Sequence, residues 1–153
     1  MPRRRPTRLA CFSYVGRFSY SLRFGTFQKK SHFTDSALIG SAFTQIQRTC
    51  AEERFALIAY CFTPDHVHLA VEGRADNSDL RRFVKLAKQR VAYVARRQFA
   101  IPAIWQSGYY ERVVRAHGMD SLVWYILNNP VRAGIVEKAE QYPCSGSMTG
   151  LTK

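Results

Sequence analysis

Two histidines separated by a single residue, His66 and His68, have the clearest capacity for chemistry in this sequence. They open the segment HVHLAVE, whose composition predicts a β-strand. Side chains alternate between the two faces of a strand, so both imidazoles project from one face while Val67 points into the core. Two imidazoles on one face can bind a single metal ion. The same spacing also occurs by chance in strands that bind no metal. The pair alone therefore leaves two interpretations open, a metal site and an incidental pair of histidines.

A tyrosine and an asparagine near the C-terminus form the second candidate group. Tyr125 and Asn129 are four residues apart at the end of a predicted helix, so they share one face of it. A carboxamide oxygen can ligate a hard cation, and a tyrosine one turn earlier can lie beside that ion. The alternatives are that Tyr125 is a core aromatic residue and that Asn129 caps the helix before Pro130.

Two further tyrosines, Tyr109 and Tyr110, are rival candidates for a nucleophile. They are adjacent in a predicted strand and therefore face opposite sides of the sheet. One of them could approach the face that carries the histidines. Packing, or stacking on nucleic-acid bases, is the alternative role.

Hydrophobic periodicity predicts the elements that must position these residues. Strands are expected at about 18–27, 55–62, 66–72 and 109–114, and helices at about 35–53, 78–99 and 119–128. The order of these elements is typical of an α+β fold with a ferredoxin-like or RRM-like antiparallel sheet, which has helices on one face. A C-terminal helix is added to that arrangement.

The chain is expected to form one domain. No linker or repeat divides its 153 residues, which predicts a domain at 14–147, a basic N-terminal arm at 1–13 and a tail at 148–153. A weak strand is possible around 11–15. Tyr142 and Pro143 are expected to attach the C-terminal segment to the body.

The net charge indicates a polyanionic partner. Twenty-three Lys and Arg residues oppose 11 Asp and Glu residues, a formal net charge of +12. Such an excess favours nucleic acid, because contacts with phosphates release counterions. A stripe of basic residues on the second predicted helix and three arginines beyond it are the candidate DNA contacts: Arg81, Lys85, Lys88 and Arg96, with Arg112, Arg115 and Arg132.

The cysteines and the apolar segments indicate in which cellular compartment the protein is expected. Four cysteines lack the CxxC spacing of a zinc site and the density of a disulfide-rich scaffold. No segment has the pattern of a signal peptide or the length to span a bilayer. We therefore expect a cytoplasmic, nucleoid-associated protein that does not bind membranes.

Several motifs together resemble those of a known family. The segments AYCFTPDHVHLAVEG, LRRFVKLAKQR, IWQSGYYERVVR, WYILNNPVRAGIVE and YPCSGS resemble the REP-associated tyrosine transposases of bacteria, which are single-tyrosine transposases of the HUH class. The resemblance covers nearly the whole chain, and the pairing of PDHVHL with NPVRAG at this separation is its most specific part. Thr63 departs from the pattern, since Met or Leu is usual before the proline.

This resemblance implies a metal-dependent enzyme that cuts and rejoins single-stranded DNA. It implies that His66 and His68 are metal ligands, that Asn129 is the third ligand, and that Tyr125 on the C-terminal helix is the nucleophile that forms a 5′-phosphotyrosine. The implied ion is Mg²⁺ or Mn²⁺, whereas imidazole ligands by themselves favour Mn²⁺ or Zn²⁺.

The same resemblance implies a substrate and leaves the assembly open. The expected partner is single-stranded DNA with hairpins, that is, REP-like palindromes, and the expected process is DNA transposition or recombination. A monomer and a homodimer both stay possible.

Two other functions remain open at this point. One is a non-catalytic, domesticated nucleic-acid-binding module with the same ferredoxin-like fold, which would bind without cleaving. The other is a replication or conjugation initiator that uses the same chemistry. Initiators usually carry a further helicase or origin-binding domain, for which this sequence leaves no room.

Overall fold

Two strand–helix–strand units build the fold in the computed structural model, which describes residues 12–115 and 117–148. The elements in chain order are β1 (Ser19–Gly25), α1 (Ser36–Glu52), β2 (Phe55–Thr63), β3 (His66–Gly73), α2 (Leu80–Phe99), β4 (Tyr110–Val114), α3 (Met119–Leu127), α4 (Asn129–Arg132) and β5 (Ser145–Ser147). Short 3₁₀ helices lie at Phe27–Lys29 and Ala139–Gln141.

The strands form one sheet in the order β4-β1-β3-β2-β5, and every neighbouring pair is antiparallel. The first four positions have the strand order of a ferredoxin-like fold, because each unit sends its second strand to the outside of the other unit. The predicted α+β fold is therefore confirmed.

Helices cover both faces of the sheet. Alternate residues of the central strands, among them Tyr20, Leu22 and Val67, are buried in a core with α1 and α2. On the opposite face, α3 packs over small residues such as Ala59 and Ala70. The small side chains let α3 approach the sheet closely, so α3 brings its own residues to the face that carries the histidines.

The junction between α3 and α4 differs from the prediction. The interpretation of Asn129 as a helix C-cap is wrong, because α3 ends at Leu127 and Asn128 is the cap. The Asn128 side chain donates a hydrogen bond to the carbonyl oxygen of Trp124 at 2.9 Å. Asn129 instead begins α4, where Pro130 is tolerated because the first turn of a helix needs no donor from it. Asn129 is thus buried rather than used as a cap.

The C-terminal segment is attached to the sheet more firmly than its composition indicates. The Tyr142 hydroxyl donates a hydrogen bond to the carbonyl oxygen of Phe62, and β5 pairs with the edge of β2. At the other end, the weak strand expected around 11–15 is reduced to a single bridge between Val15 and Asp79.

Most of the expected N-terminal arm (1–11) and most of the tail (149–153) lie outside the described residues. Among the helices that the structure describes, none combines the length and the apolarity that crossing a membrane requires.

Candidate active site

The two histidines lie side by side on the face of the sheet that α3 covers. In the register of the sheet, His66 is opposite Thr63 of β2 and His68 is opposite Arg23 of β1. The two imidazole centroids are 4.8 Å apart and the rings are nearly perpendicular, at 85°. The alternation expected from the sequence is therefore found, and both rings are available to one ligand.

The last residue of β2 and the turn that follows it contact the side of the His66 ring that faces away from the cavity. His66 Nδ1 lies 2.7 Å from the Asp65 carboxylate and 2.7 Å from the Thr63 hydroxyl oxygen. With either group as the acceptor of an Nδ1–H donor, the lone pair of Nε2 is left for the cavity. A carboxylate or hydroxyl behind an imidazole in this way fixes the tautomer and the orientation of a metal ligand. Thr63, which departs from the family pattern, therefore supports the His66 ring directly.

Helices α3 and α4 bring the other two predicted residues to the histidines. The Tyr125 ring lies 6.1 Å from the His68 ring, centroid to centroid, and Tyr125 is 40% exposed. The Asn129 side chain is only 8% exposed. It lies near enough to His66 to act on the pKa of that imidazole, in the raising direction and against the lowering by burial. All four residues line one open cavity of about 830 Å³. The structure thus brings the predicted nucleophile and the predicted ligands together, while their chemical roles stay predictions.

Burial keeps both imidazoles neutral, which is the form that can ligate a metal. Burial lowers the pKa of His68 to about 3, and the positive charges of Arg23 and Arg132 act in the same direction. Burial also lowers the pKa of His66, although Asp65 opposes that shift. Two neutral imidazoles and one amide oxygen therefore fit a divalent cation. Within the described ranges, no cluster of three His, Cys, Asp or Glu residues offers another metal site.

These shifts predict how the stability of the metal-free protein depends on pH. Below pH 6.5 the unfolded chain protonates His68, whereas the folded protein does not until the pH approaches 3. The unfolded state therefore binds more protons in this window, and the free energy of unfolding falls as the pH falls, by up to about 1.4 kcal/mol per pH unit for one histidine.

Urea unfolding at a series of pH values measures this slope. The His68→Asn variant should show a shallower slope, while replacement of the exposed His117 in the same way should leave it unchanged. An identical slope in the wild type and the His68→Asn variant would contradict the assignment.

The cavity is strongly basic. Arg23, Arg112 and Arg132 line it, and no acidic residue of the described part of the chain does. Arg112 and Arg132 are among the predicted DNA contacts, and Arg23 is a third basic residue of the cavity that those predictions do not include. The signal was the polar face of β1: Ser21 and Arg23 alternate with the buried residues that defined the strand.

The remaining predicted DNA contacts lie elsewhere. Arg81, Lys85 and Lys88 line a separate groove with Tyr109, on the side of the sheet that α2 covers. Lys88 is also a structural residue, since its ammonium group donates hydrogen bonds to the carbonyl oxygens of Gln106 and Gly108. Arg96 in the last turn of α2 and Arg115 beyond β4 are exposed and line neither cavity.

The two rival tyrosines are separated by the sheet. Tyr110 is 49% exposed and lines the cavity with the histidines. Tyr109 instead packs edge-on against Phe24, with the ring centroids 6.3 Å apart. Tyr110 is therefore the tyrosine that tests the assignment of Tyr125.

Comparison with known proteins decides the family. The family model described as "Transposase IS200 like" matches residues 15–129, a span that contains the histidines, Tyr125 and Asn129. The chain belongs to this transposase family. A protein of Haemophilus influenzae named "Putative REP-associated tyrosine transposase" is 30% identical to this transposase over 131 residues, which cover 76% of this chain and 71% of that protein. The resemblance seen in the sequence is thereby confirmed.

Solved structures share the fold of this transposase. A REP-associated tyrosine transposase bound to a REP hairpin superimposes with a TM-score of 0.77 at 18% identity, over 91% of this chain and 82% of that one. A crystal structure from Deinococcus radiodurans described as a "putative transposase" gives a TM-score of 0.55 at 21% identity, over 76% of this chain and 94% of that one. At these identities the likeness shows the fold alone.

Proposed function

We propose that this transposase cleaves and rejoins single-stranded DNA at hairpin-flanked sites through a 5′-phosphotyrosine on Tyr125. The observation that carries the proposal is the position of Tyr125, whose ring lies 6.1 Å from that of His68 across a basic cavity. His66, His68 and Asn129 would hold a divalent ion, Mg²⁺ or Mn²⁺. When bound, this ion supplies Lewis-acid stabilisation of the charge that develops on the phosphate and on the leaving oxygen.

The tyrosine performs the covalent step. The Tyr125 oxygen attacks the phosphorus atom, a bond from that oxygen to phosphorus forms, and the bond from phosphorus to the 3′ oxygen breaks. The phenol proton passes to water, because the ring is partly exposed and no carboxylate of the described residues lines the cavity. The 3′ oxygen takes a proton and leaves as a hydroxyl. The phosphotyrosine keeps a phosphodiester bond, so the strand can be rejoined without a nucleotide cofactor.

Arg132 holds the nucleophile in place. Its guanidinium carbon lies 3.8 Å from the centre of the Tyr125 ring, which is close contact for a cation over an aromatic face. Arg132 lies one turn beyond Asn129 on α4, so the same short helix positions the nucleophile and the predicted third ligand. Arg132 therefore positions the Tyr125 ring, which is a more specific role than the DNA contact expected from the sequence.

The packing of α3 weighs against the non-catalytic alternative. RNA-recognition domains bind bases on aromatic side chains of an open sheet face. Here the face opposite α1 and α2 is covered by α3, whose Leu122 and Ile126 are buried against it. The uncovered part of that face carries the histidine pair and the basic cavity.

A covalent-adduct assay tests the proposal. The protein is incubated with a DNA hairpin that carries a single-stranded tail, with Mn²⁺ or with a chelator, and analysed on a denaturing gel. A protein–DNA band that requires the metal and appears together with a free 3′-hydroxyl fragment is expected. Binding of the hairpin without any adduct, at every metal concentration tried, would support the non-catalytic module instead.

A further inference from the structure

One buried donor atom of an arginine in the cavity, Arg23 Nε, has no hydrogen-bond partner among the described residues. Arg23 is partly buried in β1, in register with His68 on one side and with Tyr110 on the other. Buried donors on charged groups are costly when unpaired, so an arginine in this state calls for an explanation.

The other two arginines of the cavity do not share this feature. The guanidinium of Arg132 stacks on Tyr125, and Arg112 is exposed and therefore hydrated. Arg23 lies close enough to the histidines for its charge to lower the pKa of both His66 and His68. The unpaired Nε of Arg23 therefore lies near the predicted metal site. None of the described residues that line this cavity is acidic.

An anion is the ligand that this arrangement lacks. Two neutral imidazoles and an amide bring no negative charge to a divalent ion, and the surrounding arginines repel a cation. A phosphodiester brings a negative charge and hydrogen-bond acceptors, which match the planar donors of a guanidinium. The phosphate would also balance the positive charge of the ion. In this site the DNA, rather than a protein carboxylate, would therefore supply the negative charge.

We propose that Arg23 binds a phosphate of the single-stranded DNA segment that enters the cavity beside His68. The inference deepens the proposed function and rests on it for the identity of the DNA. It adds a substrate-binding residue on the polar face of β1, where Arg23 alternates with buried core residues. The unpaired donor of the free protein is then a cost in stability that DNA binding removes.

Binding of uncleaved DNA in the presence of a chelator tests the proposal without catalysis. The probe is a fluorescent DNA hairpin with a single-stranded tail, and each tail phosphate is replaced in turn by a neutral methylphosphonate. In the wild type, replacement of the phosphate at one linkage should weaken binding more than replacement at the neighbouring linkages. The Arg23→Met variant should bind the unmodified probe more weakly by roughly tenfold or more, and it should no longer respond to the modification at that linkage.

Two control variants exclude simpler explanations. Arg17→Met removes the same charge from an exposed arginine that pairs with Asp76 outside the cavity, and it should keep the wild-type response at that linkage. Arg23→Lys keeps the charge and should keep part of the response. The thermal midpoint of Arg23→Met should equal or exceed that of the wild type, because a buried donor without a partner is removed.

Three outcomes would overturn the proposal: wild-type affinity of Arg23→Met, an unchanged response of Arg23→Met to the modified linkage, or a large drop in its thermal midpoint. The last would show that Arg23 has a structural role. Failure of the adduct assay would leave this binding result standing. Conversely, if Arg23→Met responded to the modified linkage as the wild type does, adduct formation would be unaffected. The two proposals can therefore fail separately.

Discussion

The Tyr125→Phe variant should form no covalent adduct with single-stranded DNA, while it binds hairpin DNA almost as the wild type does. The change removes only the hydroxyl oxygen, which is the atom that would attack the phosphorus. The phenyl ring keeps its position between His68 and the Arg132 guanidinium. The basic residues that we expect to contact phosphates are unchanged, so the affinity should keep its usual dependence on salt.

Tyr110→Phe is the matched control for this experiment. Tyr110 lines the same cavity and has similar exposure, so the substitution makes the same chemical change at the same site. It should leave adduct formation largely intact. Adduct formation by Tyr125→Phe together with its loss in Tyr110→Phe would transfer the role of nucleophile to Tyr110. No concentration of metal ion should restore activity to Tyr125→Phe.

The His68→Ala variant should lose adduct formation for a different reason, namely weaker metal binding. Replacement of a direct ligand should cost roughly 100-fold or more in metal affinity, since even the residues that orient ligands are worth 10- to 100-fold. Because the other predicted ligands, His66 and Asn129, stay in the cavity, a large excess of Mn²⁺ should restore part of the activity. A titration of adduct yield against Mn²⁺ concentration measures this shift.

His117→Ala is the corresponding control, because His117 is exposed and does not line the cavity. Its titration curve should coincide with that of the wild type. Circular dichroism must show that His68→Ala is folded, since the side chain is only 8% exposed. Wild-type activity of folded His68→Ala at low Mn²⁺ would exclude His68 as a ligand.

The sequence predicts the strands and helices well because their patterns are local. Tyr20, Leu22 and Phe24 alternate with polar residues, and they lie in the core as that alternation requires. The pairing of strands, by contrast, joins residues that are far apart in the sequence. The sequence shows that His66 and His68 share a face, but only the register of β1 against β3 places Arg23 beside them.

The C-terminal region is where local patterns are least informative. The three residues of β5, Ser-Gly-Ser, carry no apolar signal, and they pair because the edge of β2 offers free backbone groups. The last predicted helix, 119–128, is found, but α3 ends one residue earlier, at Leu127, and α4 begins at Asn129. That shift frees Asn129 from capping and directs it to His66, a result that spacing along one helix does not reveal.

Mass spectrometry of the covalent adduct tests the central claim most directly. The wild-type protein is incubated with hairpin-tailed single-stranded DNA and Mn²⁺, digested with nuclease and protease, and searched for peptides that carry a nucleotide on tyrosine. We expect the modification on Tyr125, joined to the 5′ phosphate of the cleaved strand. A nucleotide on Tyr110, or a 3′ linkage, would contradict the account.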